Sequence, residues 1–218
     1  MICLFDDLSS YTDARFHADL DLLPPSRREK ALRYRDPEDG KRSALAFLLL
    51  RDALRTEYGI LDVPEFRTNE YGKPYFEDLP VHFNISHCRD AVAVIVADHP
   101  VGIDVESIAP YRPHAARMIA CDEELLRIEN ASDPARAFIR LWTEKEAIVK
   151  YEGCGLSHAC KDLDPAEYDL HTEESPDGRY ILTACYGKKS PSSALSPASR
   201  ELSRRESLEG CLPVTPYR

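Results

Sequence analysis

The chain has 218 residues, 43% of them hydrophobic and 30% charged, and a formal net charge of −10. This composition fits a globular protein of one large or two small domains, and the acidic balance argues against general nucleic-acid binding. The longest apolar run, Ala44–Leu50, is too short to cross a bilayer, and Met1–Asp7 lacks the features of a secretory signal, so a cytoplasmic location away from membranes is expected.

Residues 2–5 read as a short strand. Ser26-Arg-Arg-Glu29 has the form of a capping box and predicts a helix to about Tyr34. Asp36-Pro37 starts a second helix, with Asp as N-cap and Pro in the first position, and Gly59 can close it after Tyr58. Glu65–Thr68 is a short strand, and Tyr71-Gly-Lys-Pro-Tyr75 is turn chemistry leading into extended chain. Val81, Phe83 and Ile85 alternate with His82, Asn84 and Ser86, as in a half-buried strand. Ala91–Ala97 is apolar throughout and reads as a strand buried on both faces. After the Asp98-His-Pro100 turn, Val101, Ile103 and Val105 alternate with Gly102, Asp104 and Glu106. The segments 91–97 and 101–106 are expected to pair antiparallel. Asp122 to Glu129 is a short helix. Asp133-Pro134 repeats the Asp-Pro start and opens a helix that ends near Gly153, and Tyr180–Tyr186 is a last strand. The Ser/Pro-rich segment 188–218 is expected to be a disordered tail. It holds six basic and three acidic residues, which leaves the rest of the chain at about −13. An anionic substrate would therefore need a local basic pocket.

Chemistry concentrates in a few places. In the helix opened by Asp133-Pro134, Phe138, Leu141, Trp142, Ile148 and Val149 form a stripe that Lys145 interrupts. Buried charge is costly without a ligand, metal or partner charge. Trp142, Glu146 and Lys150 share one side at four-residue spacing. Asp104 and Glu106 lie two apart on a strand, on the same face and roughly 7 Å apart. They are either an exposed polar face or a pair bridged by a cation, for which oxygen-only ligands suit Mg²⁺. Glu146 is either a third carboxylate and general base or a surface partner of Lys150. Lys41 and Arg42 lie in the first turn of their helix, where free N–H groups favour anions. They hold a phosphate there or are simply solvated. Lys73 projects from its turn, and Ser86-His87 is either a strand-end cap or a phosphate contact. Seven scattered cysteines contain no Cys-x-x-Cys pair and read as free thiols. Cys154, His158 and Cys160 are too irregular for a zinc site. Nucleophile-elbow, Walker A and Gly-x-Gly-x-x-Gly patterns do not occur.

In order, the chain reads Gly72-Lys-Pro74, Phe83-Asn-Ile-Ser-His87, Val101-Gly-Ile-Asp-Val-Glu106, Trp142-Thr-Glu-Lys-Glu-Ala-Ile-Val-Lys150 and Glu152-Gly-Cys-Gly-Leu-Ser157. This order and spacing resemble the Sfp-type 4′-phosphopantetheinyl transferases, and weaker similarity at Arg27–Ala31 and Asp36–Ser43 extends the likeness upstream. The resemblance implies an α+β fold of two similar halves in one monomeric chain, 1–98 and 99–187, related by a pseudo-two-fold axis with coenzyme A in the cleft between them. It implies transfer of phosphopantetheine from coenzyme A to a serine of an apo acyl or peptidyl carrier protein, with Mg²⁺ and release of 3′,5′-ADP. Asp104, Glu106 and Glu146 match metal ligands, with Glu146 also the base. Lys145 and Lys150 match lysines that reach the pyrophosphate. Lys30, Lys41, Arg42, Lys73, Ser86 and His87 match coenzyme A contacts, and Arg27 is a further basic position. Cys154 departs from the usual lysine, and the segment 158–179 is short enough to predict a trimmed hairpin in the second half. The alternatives are a Mg²⁺-dependent phosphodiesterase acting on coenzyme A and a non-catalytic nucleotide-binding protein.

Overall fold

A computed structural model of the chain describes residues 1–155, 158–189 and 202–204. Strand β1 (Ile2–Phe5) is followed by α1 (Asp13–Asp19), capped by Thr12, whose hydroxyl accepts the Arg15 N–H. Helix α2 (Pro25–Leu32) starts at Pro25, with Pro24 in the cap position and no side-chain cap bond. Proline's fixed φ suits the first helical position, so the helix begins one residue before the cap that Ser26 was expected to provide. Helix α3 (Pro37–Tyr58) starts as its sequence predicts: Asp36 accepts the Glu38 N–H at 3.0 Å, and Gly59 closes the helix at φ 67°.

The short strands β2 (Arg67–Thr68) and β3 (Pro74–Tyr75) pair around the Gly72 turn. Then come β4 (His82–His87), β5 (Val92–Ala97) and β6 (Gly102–Ser107). Helices α4 (Pro113–Ile119) and α5 (Asp122–Glu129) lead to α6 (Pro134–Glu152), which Asp133 caps and Gly153 ends. Strands β7 (Tyr168–Glu174) and β8 (Tyr180–Lys188) form an antiparallel hairpin. Strand β9 (Leu202–Arg204) runs parallel to β1, and residues 190–201 and 205–218 of the expected tail lie outside the described residues. Among the described residues, no helix is long and apolar enough to cross a membrane.

One sheet has the order β4-β5-β1-β9 and is packed by α3; the other has the order β6-β8-β7 and is packed by α6. The expected β5–β6 pairing does not form. Strand β5 has both edges occupied, by β4 (Ile85 opposite Val94) and by β1 (Cys3 opposite Val94). With no free edge there, β6 pairs with β8, placing Asp104 opposite Thr183.

The two sheets meet where β4 lies alongside β6, and side chains take the place of backbone rungs. Asn84, 4% exposed, accepts the Ile103 N–H at 2.9 Å, and the Ser86 hydroxyl accepts the Val105 N–H at 3.3 Å. Buried N–H groups require such partners. Asn84→Leu leaves the Ile103 N–H unpaired and is expected to cost about 1–3 kcal/mol, measurable by urea unfolding. Close packing of α6 on β6 depends on Gly102. A Cβ at that position would stand 2.1 Å from the Ala147 carbonyl oxygen and 2.5 Å from the Tyr151 nitrogen.

Candidate active site

The close approach of α6 to β6 brings two charged sets together. Asp104, on β6, is 2% exposed. Its Oδ1 accepts hydrogen bonds from the Ser86 hydroxyl at 2.8 Å and from Lys150 Nζ at 2.6 Å, and Lys150 also donates to Ser86 Oγ at 2.9 Å. Its Oδ2 is buried and has no partner among the described residues. Two residues on, Glu106 receives a hydrogen bond from the Trp142 side chain. Burial, then the charge on Asp104, pushes Glu106 from its usual 4.5 to about 7. Burial and Asp104 also raise Glu146, while Lys150 pulls it back. Trp142, Glu146 and Lys150 thus face the β6 carboxylates from one side of α6, at the spacing read from the sequence.

Three carboxylates crowd one ammonium here, and positive charge is short. As the side chains stand, no three His, Cys, Asp or Glu groups among the described residues are arranged to hold a metal ion. The donor set still fits a hard divalent cation. It offers carboxylate oxygens alone, one of them buried without a partner among the described residues, and two carboxyls held above their ordinary range by burial and by the charge of Asp104.

Next to this cluster lies a cleft of about 410 Å³, walled by Arg27 and Lys30 of α2, Tyr34 just beyond it, Phe47 of α3, and Phe66. Ser86, His87 and Lys150 also line it. The Arg27 guanidinium stacks 3.9 Å above the Phe66 ring, and burial lowers its pKa. Burial lowers the His87 pKa, and the charges of Arg42, Lys150 and Lys30 lower it further. The cleft is therefore a basic, partly apolar slot inside an acidic molecule, suited to an anionic ligand with an aromatic part.

Of the residues singled out in the sequence, Lys30, Ser86, His87 and Lys150 come together in the cleft, and Asp104, Glu106 and Glu146 lie beside it. Arg42 acts on His87, with its guanidinium held 2.7 Å from Asp39. Lys41 does not join them: its ammonium lies 2.6 Å from Asp13 and 2.7 Å from Glu38. Lys73 donates to the Tyr151 carbonyl at 3.0 Å, tying the Gly72 turn to the end of α6, while Gly72 and Pro74 line the cleft. Lys145 is turned away from the expected phosphate site. Its ammonium is buried against Glu124 at 2.7 Å and the carbonyls of Ile119 and Cys160 at 2.9 Å, a partner charge from another helix having won over a ligand. Tyr34, Phe47 and Phe66 were not picked out, because aromatic residues at apolar positions look the same whether they face a core or a cleft.

A family model described as the 4′-phosphopantetheinyl transferase superfamily matches residues 100–199. The 4′-phosphopantetheinyl transferase Sfp of Bacillus subtilis (strain 168) is 34% identical over 191 residues, covering 83% of this chain and 81% of that protein. The 4′-phosphopantetheinyl transferase gsp of Aneurinibacillus migulanus is 35% identical over 136 residues, covering 60% of this chain and 56% of that protein. The 4′-phosphopantetheinyl transferase AcpT of Salmonella typhimurium is 38% identical over 97 residues, covering 42% of this chain and 50% of that protein.

Proposed function

Since the chain belongs to the 4′-phosphopantetheinyl transferase superfamily, we propose that it moves the phosphopantetheine group of coenzyme A onto a serine of an apo carrier protein and releases 3′,5′-ADP. The observation that carries this reading is the contact of Lys150 with Asp104 and Ser86 at the edge of the basic cleft, beside the unpartnered Asp104 Oδ2. Two similar halves, 1–98 and 99–187, related by a pseudo-two-fold axis, fit the repeated plan of an Asp-Pro helix packed on three antiparallel strands, β4-β5-β1 and β6-β8-β7. The same reading takes the protein as a cytoplasmic monomer that engages neither nucleic acid nor membrane.

In this account Arg27, Lys30, Arg42 and His87 bind the phosphates of coenzyme A, and Phe66 and Phe47 give the cleft its apolar wall. Asp104, Glu106 and Glu146 would hold Mg²⁺, which when bound supplies positive charge to the pyrophosphate oxygens. The carrier serine hydroxyl attacks the β-phosphorus. A serine O–P bond forms, and the P–O bond to the 3′,5′-ADP leaving group breaks. Glu146 takes the serine proton, its carboxylate standing beside Asp104 and Lys150 at the edge of the cleft. Lys150 offsets the charge that grows on the leaving oxygen. The test is to quantify 3′,5′-ADP from coenzyme A and Mg²⁺ with and without apo carrier. Release that requires the carrier supports transfer, and equal release without it would establish a phosphodiesterase instead.

The pH dependence follows from Glu106. Below its pKa of about 7 the carboxyl is protonated and cannot serve a cation. Mg²⁺ affinity is therefore expected to weaken as the pH falls through 7, and calorimetry at pH 8 and pH 6 in buffers of differing ionisation heat should show proton release at the lower pH. For the metal-free protein the sign is opposite. A carboxyl whose folded pKa lies above 4.5 contributes stability that is complete below 4.5 and lost as the pH rises through about 7.

A further inference from the structure

Lys145 is one residue from Glu146, yet it faces away from the cleft. Its side chain is 2% exposed, and all three ammonium donors are in use. The acceptors come from three places: the Ile119 carbonyl at the end of α4, the Glu124 carboxylate in the first turn of α5, and the Cys160 carbonyl in the short helix His158–Asp162. Glu124 is itself fixed, because the same Oε2 accepts the Cys121 N–H at 2.8 Å. No donor remains for a phosphate.

We infer that Lys145 is a positioning residue, a buried post that locks the rotation of α6 and so sets Glu146 and Lys150 against Asp104. This rests on the reading that Glu146 and Lys150 serve the transfer. Successive helical residues are about 100° apart, so Glu146 lies roughly 100° and Lys150 roughly 140° around the axis from Lys145. Any turn or slide of α6 that carried the two reactive groups away from β6 must break the three bonds of the post. At Gly102 the backbones of α6 and β6 approach with no side chain between them.

Lys145→Met alone leaves the Glu124 charge buried without a partner and invites unfolding. The test is therefore the double variant Glu124→Gln/Lys145→Met, which removes both charges at nearly constant volume. The milder Glu124→Asp, which keeps both charges and draws the carboxylate back by one methylene, accompanies it. For each, calorimetry measures Mg²⁺ and coenzyme A affinity separately, and kinetics with an apo carrier give kcat. The expected result is a folded protein with Mg²⁺ affinity and kcat each reduced about 10-fold or more in the double variant, less in Glu124→Asp, and coenzyme A affinity measured without Mg²⁺ reduced by a smaller factor. Weakened coenzyme A affinity with intact Mg²⁺ affinity would overturn the inference, because Lys145 would then reach the substrate. Wild-type values throughout in the folded variants would also overturn it, leaving the post a stability element only. A wild-type protein that fails to modify any carrier would refute the proposed function itself, a failure the binding measurements keep separate from this one.

Discussion

Asp104→Asn is expected to reduce turnover by at least about 100-fold while the protein stays folded. Asparagine has nearly the same shape, and its oxygen can still accept from Ser86 and Lys150, the two donors now on Oδ1. What it removes is the negative charge and the second carboxylate oxygen, the buried Oδ2 that has no partner among the described residues. Burial raises Glu106 and Glu146 and that charge adds to it, so both should titrate lower in the variant. The decisive comparison is kcat against the unfolding midpoint. A large loss of kcat with an unchanged midpoint assigns Asp104 to the chemistry. Near-normal turnover would remove it from the site.

The second large effect is expected at a residue without a functional group. Gly102→Ala places a methyl group against two backbone atoms of α6, the Ala147 oxygen and the Tyr151 nitrogen, neither of which can swing aside as a side-chain tip would. The helix must lift from the sheet. Overpacking of this kind costs about 1–3 kcal/mol and at times more. The same displacement draws Glu146 and Lys150 away from Asp104, so turnover should fall together with stability. Thermal unfolding and kcat measured on one preparation check both, and a variant with wild-type values for each would mean that the close approach of α6 to β6 is not needed.

Much of the helical framework was legible because its signals are local. Asp36-Pro37 and Asp133-Pro134 start the long helices, and Gly59 and Gly153 end them with left-handed turns that glycine adopts without strain. Strand pairing was less legible. The apolar run 91–97 and the alternation in 101–106 identify two strands but not their partners, and β5 had both edges filled by β1 and β4. Lys145 shows the same limit at a single residue. Its break in the apolar stripe was visible, but its partner Glu124 lies 21 residues away, and two of its three acceptors are backbone carbonyls that leave no mark in a sequence. By contrast, Trp142, Glu146 and Lys150 were readable as one face because helical spacing alone puts them there. Lys41 lay in the right helix, yet Glu38 of the same helix and Asp13 of α1 hold it outside the cleft.

The proposed transfer of phosphopantetheine to a carrier serine needs the basic cleft and the carboxylate cluster together. Its most direct test is the intact mass of an apo carrier protein after incubation with this enzyme, coenzyme A and Mg²⁺, run beside the carrier with its acceptor serine changed to alanine. The carrier is expected to gain the mass of one phosphopantetheine group, and the alanine carrier nothing. Unmodified carriers across fatty-acid, polyketide and nonribosomal-peptide types, with folded enzyme and intact coenzyme A, would contradict it.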